Sequence, residues 1–460
     1  MSLRRRSFLM GALAGPVLAQ KGKRAPERPN IVLILADDLA SWMLGCYGNK
    51  EIRTPQIDLL ARMGTRFVNH YCCTPICSAS RATLFTGRLP RQHGIHDFLT
   101  PNPIANPPQG QAAPPPSFAG EVMISDLLAG AGYNCGYTGK WHMGDDQKPQ
   151  HQFKEWYTML GGSSRYQDPE MCSNGQLVKE KGYLADLITA RACQFIDRQQ
   201  AGTPFFLTVS HFNPHTPYEG HPSKYYEMYA KTNFETIGWQ PPAPNALREK
   251  EMLKDIVGNI RRAAAATTAL DDQVGVLMAK LRERKLEENT LVIFAGDNGY
   301  LLGRHGLWSK GLASDPINMY EEVMQVPMLW RWVGHIPADT TRPEMVSFYD
   351  LVPTLSDLTG IPLPSGRNLM GRSYYPIATG RPLPKKDAWR TYLYGEYRNT
   401  FMVRDSRYKL VERNDGKGPN ELYDLRTDPR EQTNQHANPQ FIVTRDRLSA
   451  ALADWRKRSS

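Results

Sequence analysis

The sequence predicts an α/β protein, a large domain with a mostly parallel central sheet followed by a smaller α+β domain with a short antiparallel sheet. Three observations predict it. Short apolar runs at residues 31–36, 205–209, 291–295 and 326–329 alternate with longer amphipathic stretches, the pattern of buried central strands linked by helices. Carboxylate-rich residues follow the first and third runs, where open α/β sheets carry their ligands. Beyond a proline-rich boundary at 360–386, the apolar runs become shorter and more polar, as in a small antiparallel sheet. The chain has 460 residues, more than the roughly 250 to 300 at which a single core stops growing.

From the start, Arg4, Arg5 and Arg6 precede an uncharged run, 7–19, too short for a membrane span of about 20 residues. Arg5-Arg6-Ser7-Phe8-Leu9 resembles the twin-arginine export motif, and Val17-Leu18-Ala19 offers small residues for cleavage after Ala19. Residues 1–19 are therefore expected to be a signal peptide, read by the twin-arginine export machinery, with a periplasmic or extracellular destination. The net charge of +10 invites a nucleic-acid partner, but the first 28 residues hold +6 of it and the rest only +4. Nucleic acid is not expected. Seven cysteines leave at least one unpaired in a monomer, and their spacing gives no repeated CxxC zinc pattern. A disulfide from Cys72 or Cys73 is left open.

Helices are expected at 56–63, 121–131, 183–198, 257–288 and 346–359. Within the third, Leu184, Leu187, Ile188, Ala192, Phe195 and Ile196 form one apolar stripe, read as core packing. Residues 101–118 carry seven prolines and are expected to be a long irregular segment, either bordering a site or a passive insertion. After the boundary, strands are expected at 391–394, 400–403 and 408–411, and a closing helix at 441–456. The resulting division is 1–19 signal, 20–375 catalytic domain and 376–460 C-terminal subdomain.

Asp37 and Asp38 follow the first apolar run, and Asp297 and Asn298 follow the third. Three carboxylates and an amide oxygen gathered at adjacent strand ends would repel one another without a hard cation, and oxygen ligation suits calcium or magnesium. The most specific segment is Cys77-Ser78-Ala79-Ser80-Arg81, followed by Thr86-Gly87-Arg88. It matches the signature of the formylglycine-dependent sulfatases. Thr54-Pro55-Gln56-Ile57-Asp58, Gly139-Lys140-Trp141-His142, Asn213-Pro214-His215-Thr216-Pro217, Gly296-Asp297-Asn298-Gly299, His305-Gly306-Leu307-Trp308-Ser309-Lys310 and Glu421-Leu422-Tyr423-Asp424-Leu425 resemble further family elements in family order. The chain thus resembles the type I sulfatases of the alkaline-phosphatase superfamily, and the resemblance extends over most of its length.

The resemblance implies an alkaline-phosphatase-like sandwich and hydrolysis of a sulfate monoester, first of all on a sulfated carbohydrate. It implies that a maturase oxidises Cys77 to formylglycine, whose hydrate attacks sulfur, forms a sulfated covalent intermediate and releases sulfate by C–O cleavage. It assigns one calcium ion to Asp37, Asp38, Cys77, Asp297 and Asn298, with Asp297 also accepting the proton of the attacking hydroxyl. Arg81 would position the nucleophile, Lys140 and Lys310 would clamp the sulfate, His142 would act as base and His215 as acid. His305 would touch the sulfate or order the Lys310 loop. Ala79 stands where many relatives have proline, so the identity of the maturase stays open. A phosphonate monoester or phosphodiester hydrolase, and an inactive sulfoglycan-binding protein with unmodified Cys77, are the alternatives.

Overall fold

The structure, a computed structural model, describes residues 28–99, 120–383 and 389–459. The expected signal peptide and the 101–118 segment lie outside the described residues. In chain order the strands are β1 (Asn30–Ala36), β2 (Thr65–Phe67), β3 (His70–Tyr71), β4 (Asn134–Lys140), β5 (Glu155–Met159), β6 (Glu170–Ser173), β7 (Gln176–Lys179) and β8 (Phe205–Ser210). They continue as β9 (Thr290–Gly296), β10 (Met328–Arg331), β11 (Thr340–Arg342), β12 (Val346–Ser347), β13 (Leu393–Tyr397), β14 (Thr400–Arg404), β15 (Tyr408–Arg413) and β16 (Glu421–Asp424). Ten of them form one sheet in the order β11-β2-β10-β9-β1-β8-β4-β5-β6-β7. The five central strands, β9 to β5 in that order, are mutually parallel.

Strand alternation divides the core in two. Ile31, Leu33, Leu35, Leu291 and Ile293 face one layer, where Ala79, Leu84 and Phe85 of the Cys77–Thr86 helix and Leu351 and Leu355 of the Leu351–Thr359 helix cover them. Val32, Ile34, Leu207, Val209 and Phe294 face the other, under Leu184, Ile188 and Phe195 of the Leu184–Asp197 helix and Ala263, Leu270 and Leu277 of Ile256–Glu283. The wholly apolar strands thus bury both faces, each large side chain contributing about 1.5 to 3 kcal/mol.

Two expected elements differ. The run at 326–329 becomes β10, which lies antiparallel to β9. The chain leaves β9 at the sheet's carboxyl edge and stays there through the loops of 297–327, so the next strand must run back. The helix expected over 346–359 is three pieces: β12 pairs with β3, a 3-10 turn spans Phe348–Asp350, and only Leu351–Thr359 is α-helical. The Asp350 carboxylate accepts the Ser347 N–H at 2.8 Å, and Pro353 fits only a helix's first turn.

The C-terminal sheet runs β13-β14-β15-β16, entirely antiparallel. Val403, Leu410 and Leu422 pack against Leu448, Leu452 and Trp455 of the Ile442–Arg458 helix. Cys73, Leu89 and Tyr349 of the large domain join that cluster. All seven cysteines are free thiols, and among the described residues no helix is long and apolar enough to cross a membrane.

Candidate active site

Register brings the site together. Ala36 pairs with Gly296, Leu35 with Ser210 and Ser210 with Gly139, so the carboxyl ends of β9, β1, β8 and β4 are level. Asp297, Asp37, Ser210 and Lys140 consequently stand side by side, all buried. Gly139 permits the closest of these approaches, because a Cβ there would lie 1.9 Å from the Ser210 carbonyl oxygen.

The Cys77–Thr86 helix points its N-terminus at this row, with Cys77 in its first turn and Arg81 one turn on. Arg81 is wholly buried. Its Nε donates to Asp297 Oδ2 at 2.9 Å, and its Nη1 donates to the Lys140 carbonyl at 2.8 Å and to Ser210 Oγ at 2.7 Å. The helix N-terminus and these fixed cations make an anion-favouring floor. Lys140 Nζ lies 2.5 Å from Asp37 Oδ2. Lys310 Nζ donates to Asp38 Oδ1 and lies 3.4 Å from Cys77 Sγ. Burial disfavours the Lys310 charge, but Asp38 and the neighbouring acids outweigh it and hold its pKa well above the ordinary lysine value. Burial likewise pushes the Cys77 thiol up, with Lys140 and Lys310 opposing, so the unmodified side chain is no thiolate nucleophile at neutral pH.

Asp297 Oδ1 accepts the backbone N–H of Asp38 at 3.0 Å and of Asn298 at 2.7 Å. Burial raises the Asp297 pKa, whereas Lys140, His215 and Arg81 overcome burial at Asp37 and lower it. Three oxygens remain open for a cation. Asp37 Oδ1 and Asn298 Oδ1 are buried without a hydrogen-bond donor, and Asp38 Oδ2 faces His215 Nε2 at 3.5 Å. Ligand atoms of Asp37, Cys77 and Asp297 lie within 4.8 Å of one another, as do those of Asp37, Asp38 and His215. Two buried oxygens without a donor, beside a third that only His215 faces, suit a hard divalent cation, so the residues fit one.

Two histidines differ in orientation and therefore in chemistry. His142 Nε2 is 2.7 Å from the Leu99 carbonyl and must carry the proton, which leaves Nδ1 as a buried lone pair with no donor. Burial and Lys140 keep its pKa well below the ordinary 6.5, so the ring is neutral. Gly162 makes room for it, since a Cβ there would lie 2.2 Å from His142 Nε2. His215 stacks on Phe212 at 4.7 Å and donates Nδ1–H to the Thr216 carbonyl, turning Nε2 toward Asp38. Asp38 and His142 both hold left-handed backbone, at φ 62° and 57°, a conformation costing about 1 to 3 kcal/mol that commonly accompanies functional sites.

A cleft of about 280 Å³ opens above Cys77, lined by His142, His215, Lys310, Ser309, Phe98 and Arg248 among others. Sequence reasoning placed the first three. It missed Phe98 and Arg248, which sit in loops without a recognisable code. Ser163 also lines the cleft. His305 is not among the lining residues. Its Nε2 meets Glu322 at 3.2 Å and its ring stacks on Tyr320 at 3.8 Å, which fits the ordering of the Lys310 loop.

A family model described as Sulfatase matches residues 29–361, and one described as N-sulphoglucosamine sulphohydrolase, C-terminal, matches 303–458. The chain is 25% identical to N-acetylglucosamine-6-O-sulfatase of Bacteroides thetaiotaomicron, over 97% of this chain and 90% of that protein. It is 31% identical to arylsulfatase A of Homo sapiens, over 88% and 77%. A protein solved in complex with its substrate D-glucosamine-2-N,6-O-disulfate superposes with a TM-score of 0.79 at 23% identity, covering 94% of this chain and 98% of the other.

Proposed function

This chain belongs to the sulfatase family, and we propose that it hydrolyses sulfate monoesters on a sulfated carbohydrate, using a formylglycine made from Cys77 beside a calcium ion. The observation that carries the reading is the convergence of Cys77, Arg81, Lys140 and Lys310 with three carboxylates at the floor of one cleft. A relative that acts, by its name, on N-acetylglucosamine 6-sulfate makes a sulfated hexosamine the first substrate to try.

Asp37, Asp38, Asp297 and Asn298 would hold the calcium, next to the side chain at position 77. When present, calcium supplies a Lewis acid for a sulfate oxygen, and formylglycine a geminal diol that attacks sulfur and can later release sulfate by C–O cleavage. Lys140 and Lys310 hold the sulfate oxygens, with Lys310 nearest the nucleophile position. Arg81 fixes that position from below. Asp297 takes the proton of the attacking hydroxyl, and His142 Nδ1, the buried lone pair, takes that of the second hydroxyl. His215, acting as an imidazolium that keeps Nδ1–H on the Thr216 carbonyl, gives its Nε2 proton to the leaving alcohol. The proton donor and acceptor are thus separate rings, each oriented by a backbone carbonyl.

Residues 1–19 serve as a twin-arginine signal, and a formylglycine-generating maturase acts on Cys77 before export of the folded protein to the periplasm or beyond. Residues 376–460 form the C-terminal subdomain. The deciding experiment compares an aryl sulfate with an aryl phosphonate monoester on protein co-expressed with a maturase. Sulfate preference supports the reading, and strong phosphonate preference overturns it.

A further inference from the structure

Arg248 stands on the rim of the cleft above Cys77, exposed, with its guanidinium 4.6 Å over the Phe98 ring. Among the described residues no carboxylate pairs with it. Its acidic neighbour is already committed, since Glu249 Oε1 accepts from Thr216 Oγ1 at 2.8 Å and Oε2 accepts from the Tyr300 hydroxyl. The backbone on either side is fixed. Leu247 N donates to the Ala313 carbonyl at 2.7 Å, and the Glu249 side chain anchors the following residue.

Phe98 is fixed as well. Asp97, one residue earlier, accepts from the Tyr397 hydroxyl at 2.7 Å, and Leu99 N, one residue later, donates to Ser78 Oγ at 3.0 Å. An arginine held over an aromatic ring spends no N–H group on that contact, and its N–H groups can match an oxyanion in bidentate fashion. A held, unpaired guanidinium at the mouth of a cleft whose floor already binds one sulfate has a specific use. We infer that Arg248 is a specificity-determining residue that recognises a second oxyanion, sulfate or carboxylate, on the sulfated substrate, with Phe98 as its support. The inference rests on the sulfatase reading for the first anion.

The test measures binding to the Cys77→Ser protein by calorimetry, so that it does not depend on turnover. Three probes are compared: N-acetylglucosamine 6-sulfate, glucosamine 2,6-disulfate, and N-acetylglucosamine 6-sulfate carrying a glucuronate. At least one dianion should bind about tenfold or more tighter than the monosulfate, the scale of one charge-assisted hydrogen-bonded pair. Which dianion gains tells sulfate from carboxylate. Arg248→Gln should erase the gain, Arg248→Lys should restore part of it, and Phe98→Leu should fall between. Equal binding of all three probes, or a dianion gain that survives Arg248→Gln, overturns the inference. Turnover of the monosulfate by the formylglycine-bearing protein is read separately. Its absence alongside an Arg248-dependent gain would sink the sulfatase reading and leave the oxyanion site standing.

Discussion

The protein buries two clusters of opposite charges, and they are built differently. In the cleft floor, Asp37, Asp38 and Asp297 face Arg81, Lys140 and Lys310, yet Asp37 Oδ1 and Asn298 Oδ1 stay without a donor and Cys77 opens to the cleft. Between the large domain and the C-terminal sheet, Lys409 lies 2.8 Å from Glu431 and 3.1 Å from Glu321, while Arg404 pairs with Glu321 and the Tyr71 hydroxyl. Glu431 Oε2 also accepts the Glu321 N–H at 2.6 Å. The second cluster ties the C-terminal sheet to the large domain through ion pairs, although Lys409 Nζ, Glu321 Oε1 and Glu431 Oε1 make no hydrogen bond there. The first leaves acceptors pointed at a ligand.

That contrast predicts which measurement each cluster will move. The largest effect should come from Cys77→Ala, which removes the side chain proposed to become the nucleophile and should lower kcat about a million-fold while the melting temperature stays near that of the parent. Lys310→Met should lower kcat/KM for a sulfate ester about 10²- to 10³-fold, the usual loss of one oxyanion-stabilising group. His215, and the cation proposed for the carboxylates, would leave Asp38 partly compensated, so its stability cost should be the smaller of the two lysine variants. Lys409→Met should do the reverse. Stranding Glu431 in the domain junction, with Glu321 left to Arg404, should cost about 3 to 5 kcal/mol in denaturant unfolding, with kcat retained by the folded fraction. If Lys409→Met abolished turnover without destabilising the fold, the contrast would fail.

A separate prediction concerns pH. Burial holds His70, His93 and His211 at pKa values of about 3, against an ordinary 6.5. The unfolded chain therefore binds more protons than the folded one between those values, so stability is complete above pH 6.5 and falls as pH drops below it. Melting temperatures between pH 7.5 and 5 should fall steadily on the acid side. A flat profile would show that burial does not depress these rings.

The sequence made the cleft floor legible because strand ends and motif residues coincide. A wholly apolar run followed by Asp37-Asp38, and another followed by Asp297-Asn298, could be placed side by side by the rules of parallel sheets. The arm formed by β5, β6 and β7 was not legible, since Glu170–Ser173 and Gln176–Lys179 are short and half-exposed, with no apolar run to mark them. Residues 346–359 looked helical because apolar side chains recur there; the Ser347–Asp350 cap that splits them is local, but the pairing of β12 with β3 is a long-range outcome of folding. Orientation was also hidden. Nothing in Gly139-Lys140-Trp141-His142 says that Leu99 takes the Nε2 proton, and nothing near Arg248 says that Phe98 lies beneath it.

The central claim, that sulfate hydrolysis runs through an aldehyde made at Cys77, is tested most directly by one titration. Protein batches expressed with graded amounts of maturase are assayed for sulfate release from a sulfated hexosamine, and the peptide containing Cys77 is weighed in each batch by mass spectrometry. The account predicts a straight line through the origin, activity rising with the fraction of aldehyde. Full activity in protein carrying only the thiol, or none at complete conversion, would contradict it.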